Sequence, residues 1–386
     1  MPHHSQPVRI LVLGQGHNFP VDHAGGHDGF VRLLQEGKIA AYDHLSALDL
    51  AQRFGWSGMW SEVKRKVEEM NANVLFLRFF HHPQATDPTA GLLAIKQLPQ
   101  KPMIITSLGD PFGQWFNTMP AAYIAATKLA DLNLLSGMGF LARQLTQHGT
   151  KNIVLMPLAV CQKRFSNEYV PVANPEFDVL FIGSKVKARN PFGHYFWCAR
   201  NRVKMVEILT RRYGKKFAIF GKGWDGNPSW QGPCNYQEQQ KMCQRARVVV
   251  GGMPNGYHDY YLSDRPFIAL GSGVPFVDYH VPGIERIFHD QRDWWLVPQV
   301  QDYARKVESL FELSVDIRRK HGENITKKIQ NQHTSYHRTL NTINITRDLL
   351  TARANGTKSA LPALEYLPEP RVYDTVKLPM IANWQG

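Results

Sequence analysis

The chain has 386 residues, length enough for two domains that each bury a core. Its 43% hydrophobic and 20% charged content is that of a globular protein and excludes intrinsic disorder, and no run of about 18 apolar residues marks a membrane-spanning helix. The formal net charge is +13, and the four cysteines (Cys161, Cys198, Cys234, Cys243) form neither a CxxC pair nor a zinc spacing, which excludes a disulfide scaffold and suits a reducing cytoplasm.

The start, MPHHSQPVRILVLG, reads as a first strand and not as a signal peptide, because its apolar stretch is short and runs into Gly-rich polar sequence. Val8 to Leu13 is a buried-type strand ending in Gly14-Gln15-Gly16. Val74 to Phe79, Met103 to Thr106, Leu132 to Leu135 and Ile153 to Met156 are further strands. Between them lie amphipathic segments such as Ser61 to Met70 and Met138 to His148. The turn-forming stretch Ser166 to Glu176 is the best linker.

The alternation then restarts. Asp178 to Ile182 ends in Gly183-Ser184, Phe217 to Phe220 ends in Gly221-Lys222-Gly223, and Arg247 to Val250 ends in Gly251-Gly252. Val274 to Val277 and Trp294 to Val297 follow. Gln301 to about Leu350 reads as mostly helical with a weak point near Gly322, and the Pro-rich remainder reads as an extended tail. The expected architecture is α/β: two doubly wound parallel-sheet domains facing a central cleft, over residues 1–165 and 166–345, with a tail over 346–386 that packs across them. That architecture suits a two-substrate transferase, a sugar epimerase and a binding protein equally.

The basic surplus lies beyond residue 160, most densely in Lys185, Lys187, Arg189, Arg200, Arg202, Lys204, Arg211, Arg212, Lys215, Lys216 and Lys222. A second cluster is Arg318, Arg319, Lys320, Lys327 and Lys328. Such clusters suit a polyanionic partner, nucleic acid or an anionic surface, or simply keep the protein soluble. Ser263-Asp264-Arg265-Pro266 opens a helix whose free N–H groups suit a phosphate, with Arg265 beside them. Asp110 follows a strand on a Gly/Pro turn, where a general base would reach an acceptor hydroxyl, or it is a plain turn residue before Pro111. His17 follows the Gly14-Gln15-Gly16 turn, placed for a leaving phosphate or merely exposed. The turn lacks the third Gly of a dinucleotide fingerprint, so a dehydrogenase ranks low.

The pattern from Ser263 to Gly273, followed by a strand and by Pro282-Gly283-Ile284-Glu285-Arg286-Ile287-Phe288, resembles the glycosyltransferases of the spore maturation protein CgeB type. These are GT-B enzymes related to the large retaining glycosyltransferase family. Phe177 to Ser184, Phe217 to Trp224 and Gln237 to Val250 are similar to that family's donor domain in the same order, and Asp110 resembles its acidic residue in the first domain. The resemblance implies a nucleotide-sugar donor, UDP-sugar favoured, with no further cofactor and no metal. It places Gly16, Ser184, Lys187, Arg189, Gly221, Lys222, Trp224, Arg265, Pro266, Phe267 and Glu285 at the donor and Asp110 and His17 at the chemistry. The sequence departs from the family at Ile268, where a Glu usually binds the ribose; Glu285 is the nearest substitute.

Three functional readings follow. The first is a glycosyltransferase acting on a polyanion, DNA with hydroxymethylated pyrimidines being slightly favoured by charge. The second is one acting on a cell-surface polysaccharide, glycolipid or spore-coat component. The third, motivated by Ile268, is a GT-B scaffold that binds without turnover. No integral membrane association is expected, and the localisation expected is cytoplasmic.

Overall fold

The computed structural model describes residues 7–112, 118–165, 168–170, 174–186, 192 and 194–357. They form two compact units, each built on a parallel sheet. One holds everything described up to Pro157 together with Ser335 onward. The other runs from Leu158 to Thr334.

In the first unit the order is β1 (Arg9–Gly14), α1 (Phe19–Asp22), α2 (Ala24–Gln35), β2 (Ala41–Ser46), α3 (Ala47–Glu69) and β3 (Val74–Arg78). Then come α4 (Thr89–Lys96), β4 (Met103–Leu108), α5 (Ala121–Leu129), β5 (Leu132–Leu135), α6 (Phe140–Gln147) and β6 (Ile153–Leu155). The strands pair in the order β2-β1-β3-β4-β5-β6. Successive side chains leave a strand on opposite faces, and here both faces are covered. Leu11, Leu13, Leu75, Leu77 and Ile104 point into one apolar cluster with α3 and α4, while Ile10, Val12, Val74, Phe76, Ile105 and Leu134 point into the other.

β2 was not expected. Its sequence, AYDHLS, is half-polar because it is the edge strand, half-buried along its whole length. The strand expected to run to Phe79 stops at Arg78, because Phe79 turns into the left-handed region (φ 58°).

The second unit contains β7 (Phe177–Ile182), α7 (His194–Tyr213), β8 (Phe217–Phe220), α8 (Gln239–Cys243), β9 (Ala246–Val250) and α9 (Asp264–Gly271). It continues with β10 (Phe276–Tyr279), β11 (Trp295–Val297), α10 (Tyr303–Phe311) and α11 (Val315–Gln332). The sheet order is β11-β10-β9-β7-β8, all parallel. Val179, Phe181, Val248, Val250 and Val277 pack against Met205, Val206 and Leu209 of α7 and Val307 and Leu310 of α10. Burying such a side chain is worth about 1.5–3 kcal/mol, so this layer holds the unit together.

The helical stretch does not weaken at Gly322, which lies buried inside α11. The break falls before it, where Ser314 caps α11 by accepting from the Ile317 N–H. Gly322 is needed for close packing: a Cβ there would collide with the Tyr169 ring and come within 2.8 Å of the Gly273 carbonyl. After His333 the chain returns to the first unit as α12 (Ser335–Ala354), which lies on α2. Gly29 permits that approach, since a Cβ would stand 2.8 Å from Thr339 Oγ1, and Tyr336 donates to Glu36 at 2.6 Å. Residue 346, where the tail was expected to begin, is inside this helix; residues from 358 on lie outside the described ones.

Candidate functional site

In the second unit the carboxyl ends of β7, β8 and β9 and the start of α9 come together. The turns after β7 and β8 are stitched by backbone: Gly183 N–H donates to the Phe220 carbonyl (2.8 Å) and Lys185 N–H to the Lys222 carbonyl (2.9 Å). Gly221 makes this possible, because it sits at φ 143° and a Cβ would run into Gly183. Trp224, expected to line a nucleotide pocket, is instead 3% exposed; its indole packs edge-on to Phe181 and donates to the Gly183 carbonyl (2.7 Å). Ser184, Lys185 and Lys222 are exposed. Lys187 and Arg189 lie outside the described residues.

Beneath these turns is a buried charged network that the sequence reading missed. Arg202, on α7, had been counted in the basic surface, but it is 2% exposed. Its guanidinium donates to the Gly252 carbonyl and, at 2.9 Å, to the Ser184 carbonyl, tying the turn after β7 to the turn after β9. Tyr303 of α10 donates to the Gly251 carbonyl (2.7 Å), with its hydroxyl 3.2 Å from Asp278 Oδ1. Burial is the main influence on Asp278 and pushes its pKa up to about 6 against the opposing pull of the Tyr279 N–H, Tyr303 and Arg202. Gly251 cannot be replaced without meeting the Asp278 carboxyl. The available signal was an acidic residue closing an otherwise apolar strand.

α9 opens with Ser263, which makes no side-chain cap, followed by Asp264 and the half-buried Arg265. Pro266 and Phe267 are buried. Arg265, Pro266 and Ile268 border a cavity of about 30 Å³ that continues to Arg202 and Asp278. Ile268 is 1% exposed and fills apolar space beside Phe181 and Phe276. Glu285 is exposed on the turn after β10 and faces His280 at 3.4 Å. His258 and Asp259, between β9 and α9, are both buried, with the His258 ring 4.2 Å from that of Tyr257.

In the first unit the ends of β1, β3 and β4 gather a second group. Gln15 N–H donates to the Arg78 carbonyl (3.1 Å), and Gln15 Oε1 accepts from the His81 N–H (3.0 Å). Gly16 has φ 129°, and a Cβ there would strike the Asp22 carboxylate. Asp110 is exposed and Ser136 donates to the neighbouring Gly109 carbonyl. His81, not singled out from sequence, is held below its ordinary pKa chiefly by burial, with the charge of Asp110 acting the other way. Its ring lies 4.9 Å from that of Phe112. His17 is exposed.

Residues 200–344 match the glycosyl transferase-like family. No curated protein matches the chain. Solved structures do, at low identity and over nearly their whole length. A glycosyltransferase from Rickettsia africae is 11% identical, with 89% of this chain and 99% of that one covered at a TM-score of 0.53. Trehalose 6-phosphate synthase from Burkholderia multivorans is 9% identical, with 91% and 100% covered at 0.56. Anabaena HepE in complex with UDP and glucose is 12% identical, with 88% and 99% covered at 0.53. The fold is GT-B. In this GT-B chain the glycosyl transferase-like match covers the network of Arg202, Asp278 and Tyr303 as well as α9. Among the described residues no group of three His, Cys, Asp or Glu could hold a metal ion, and no helix is long and apolar enough to cross a membrane.

Proposed function

We propose that this protein is a glycosyltransferase that moves a sugar from a UDP-sugar to a hydroxyl on DNA, a hydroxymethylated pyrimidine being the acceptor. The observation that carries the transferase reading is the start of α9 at the carboxyl end of the second sheet, where Ser263 makes no side-chain cap and Arg265 is half-buried, inside the region of glycosyl transferase-like sequence. A helix start with an adjacent guanidinium is suited to a diphosphate. The UDP bound by the HepE relative supports the choice of nucleotide.

In this reading Arg265, the backbone of Pro266 and Phe267, and Ser184 hold the diphosphate, together with Lys187 and Arg189. Gly221 and Lys222 border the nucleotide, with Trp224 bracing the Gly183 turn. Ile268 offers nothing to the ribose, whose hydroxyls fall to Glu285. Asp110 takes the proton from the acceptor hydroxyl as that oxygen bonds to the anomeric carbon. The carbon–oxygen bond to the diphosphate breaks, and UDP leaves with the electron pair. Direct displacement inverts the anomeric centre. Gly16 and His17 are assigned to the leaving phosphate. His81 lies near Asp110, and burial holds it below its ordinary pKa.

DNA is supported by charge. On α7 and the turn after it, Arg200, Lys204, Arg211, Arg212, Lys215 and Lys216 are exposed, and of these Arg212 pairs with Glu308. The test is transfer of radiolabelled glucose from UDP-glucose to hydroxymethylated and to plain duplex DNA. Label should enter the modified duplex alone, transfer should fall steeply with rising salt, and Asp110→Asn should lower kcat by about 10²–10⁴-fold. Hydrolysis of UDP-glucose without labelled DNA would redirect the acceptor to saccharide or lipid. Neither binding nor hydrolysis of any nucleotide-sugar would defeat the catalytic reading.

A further inference from the structure

Two of the strands that carry the α9 site, β7 and β9, also have amino ends, and these border, with that of β10, a second, larger space. Its volume is about 380 Å³, within the range of small-molecule sites. The starts of β7, β9 and β10 supply Asp178, Arg247 and the Gly273-Val274-Pro275 turn. Tyr169 and Asn174 close one side, and Arg318, from the first turn of α11, closes another.

The charges in this groove are not balanced. Arg247 donates from Nη2 to the Phe311 carbonyl (2.6 Å), with its guanidinium 4.4 Å from the centre of the Phe311 ring. Its Nε is buried and, among the described residues, has no hydrogen-bond partner. Arg318 stands close enough that burial and the charge of Arg247 both hold its pKa below the ordinary value. Among the described residues neither arginine forms an ion pair, although Asp178 borders the same space. Two like charges held together repel, and a buried guanidinium N–H without an acceptor is costly. An arrangement of this kind is stabilised when an anion enters between the two forks.

We propose that this groove is a second anion site, taking the phosphoryl group of a small phosphomonoester between Arg247 and Arg318. A phosphate offers three acceptor oxygens and matches the planar guanidinium fork. Tyr169 and Asn174 provide a hydroxyl and an amide for the body of the ligand, and Val274 and Pro275 provide an apolar wall. Tyr169 is set firmly for this, its ring seated against Gly273 and Gly322, where any side chain would collide with it. The site is separate from the donor site of the proposed reaction. β7 alone, six residues long, puts roughly 15–20 Å between the two ends of the sheet.

The test uses the full chain, with glucose 6-phosphate and inorganic phosphate as probes, by calorimetric titration and by broadening of the probe's phosphorus resonance. Wild type should bind glucose 6-phosphate, and inorganic phosphate should compete more weakly. Arg318→Gln, a substitution on a half-exposed helix position, should weaken binding about tenfold or more while leaving the melting temperature and UDP-glucose binding unchanged. Arg247→Lys keeps the charge and removes the fork, and should also weaken the phosphomonoester. Arg265→Ala should leave phosphomonoester binding intact, so failure of the donor-site reading is read separately. The proposal is overturned if glucose 6-phosphate does not bind at millimolar concentration, if both arginine variants bind it like wild type, or if UDP-glucose displaces it. Displacement by a short duplex DNA, with loss of DNA binding in Arg318→Gln, would assign the groove to nucleic acid and overturn it equally.

Discussion

The two ends of the second sheet treat arginine in opposite ways. At the carboxyl end Arg202 is buried, donates to the Ser184 and Gly252 carbonyls, and lies near a carboxyl group at Asp278. At the amino end Arg247 and Arg318 face a groove, and among the described residues no carboxylate pairs with either. A buried charge that donates to the protein's own carbonyls acts as a brace, because the fold supplies its acceptors. A charge left facing open space with an unmet donor is a place for a ligand. Position in the chain does not separate the two: Arg202 stands in the densest basic stretch of the sequence and is the one among its described members that solvent does not reach.

The largest expected effect tests the brace. Arg202→Ala strands the buried Gly252 carbonyl and unties the Ser184 turn, and should cost about 3–5 kcal/mol in urea unfolding; a loss below about 1 kcal/mol would remove the brace from the comparison. Next comes Asp278. Its folded pKa of about 6 lies above its ordinary value of 3.8, so the folded state holds the proton more tightly than the unfolded state. Its contribution to stability is therefore complete below about pH 4 and is lost as pH rises through 6. Asp278→Asn removes that dependence, so the stability of the variant minus that of wild type should grow by about 3 kcal/mol from pH 4 to pH 7. A flat difference would mean that Asp278 is not held neutral by burial.

Gly221→Ala should destabilise by about 1–3 kcal/mol through backbone strain and the collision with Gly183, measured by the same unfolding curves. Arg265→Ala, at the mouth of the carboxyl-end cavity, should weaken UDP-glucose binding about tenfold in a titration with little change in stability. The smallest effect belongs to the other end: Arg318→Gln should change stability by no more than about 0.5 kcal/mol, because the fold does not depend on that charge. A large loss there would erase the distinction between brace and site.

Much of the fold was legible. Runs such as VRILVL, VLFL and DVLFI are apolar on both sides, which only a parallel sheet covered on both faces requires, and the Gly pairs that end them mark where each strand delivers a turn. β2 was not legible, since an edge strand buries too little to leave a period in AYDHLS. The break expected at Gly322 was misread for a related reason. Glycine signals either a chain that must bend or a surface that another group must approach, and the Tyr169 ring decides for the second. At the candidate site the sequence pointed to α9 and Asp110 through local pattern, but Arg202, Asp278, Tyr303 and His81 carry no local pattern. Arg202, Asp278 and Tyr303 bond to partners 18 to 52 residues away in the chain, and His81 bonds to Gln15 across 66.

By itself, then, the sequence determined the alternation of strands and helices, the two sheets and the helix start that suits a phosphate, because each depends on residues close together in the chain. Only the tertiary structure decided which arginines are internal braces and which face a groove, that Trp224 packs inward, and that α12 returns to the first unit. Those outcomes depend on burial and on the partners that distant segments bring, and neither is written in the spacing of residues along the chain.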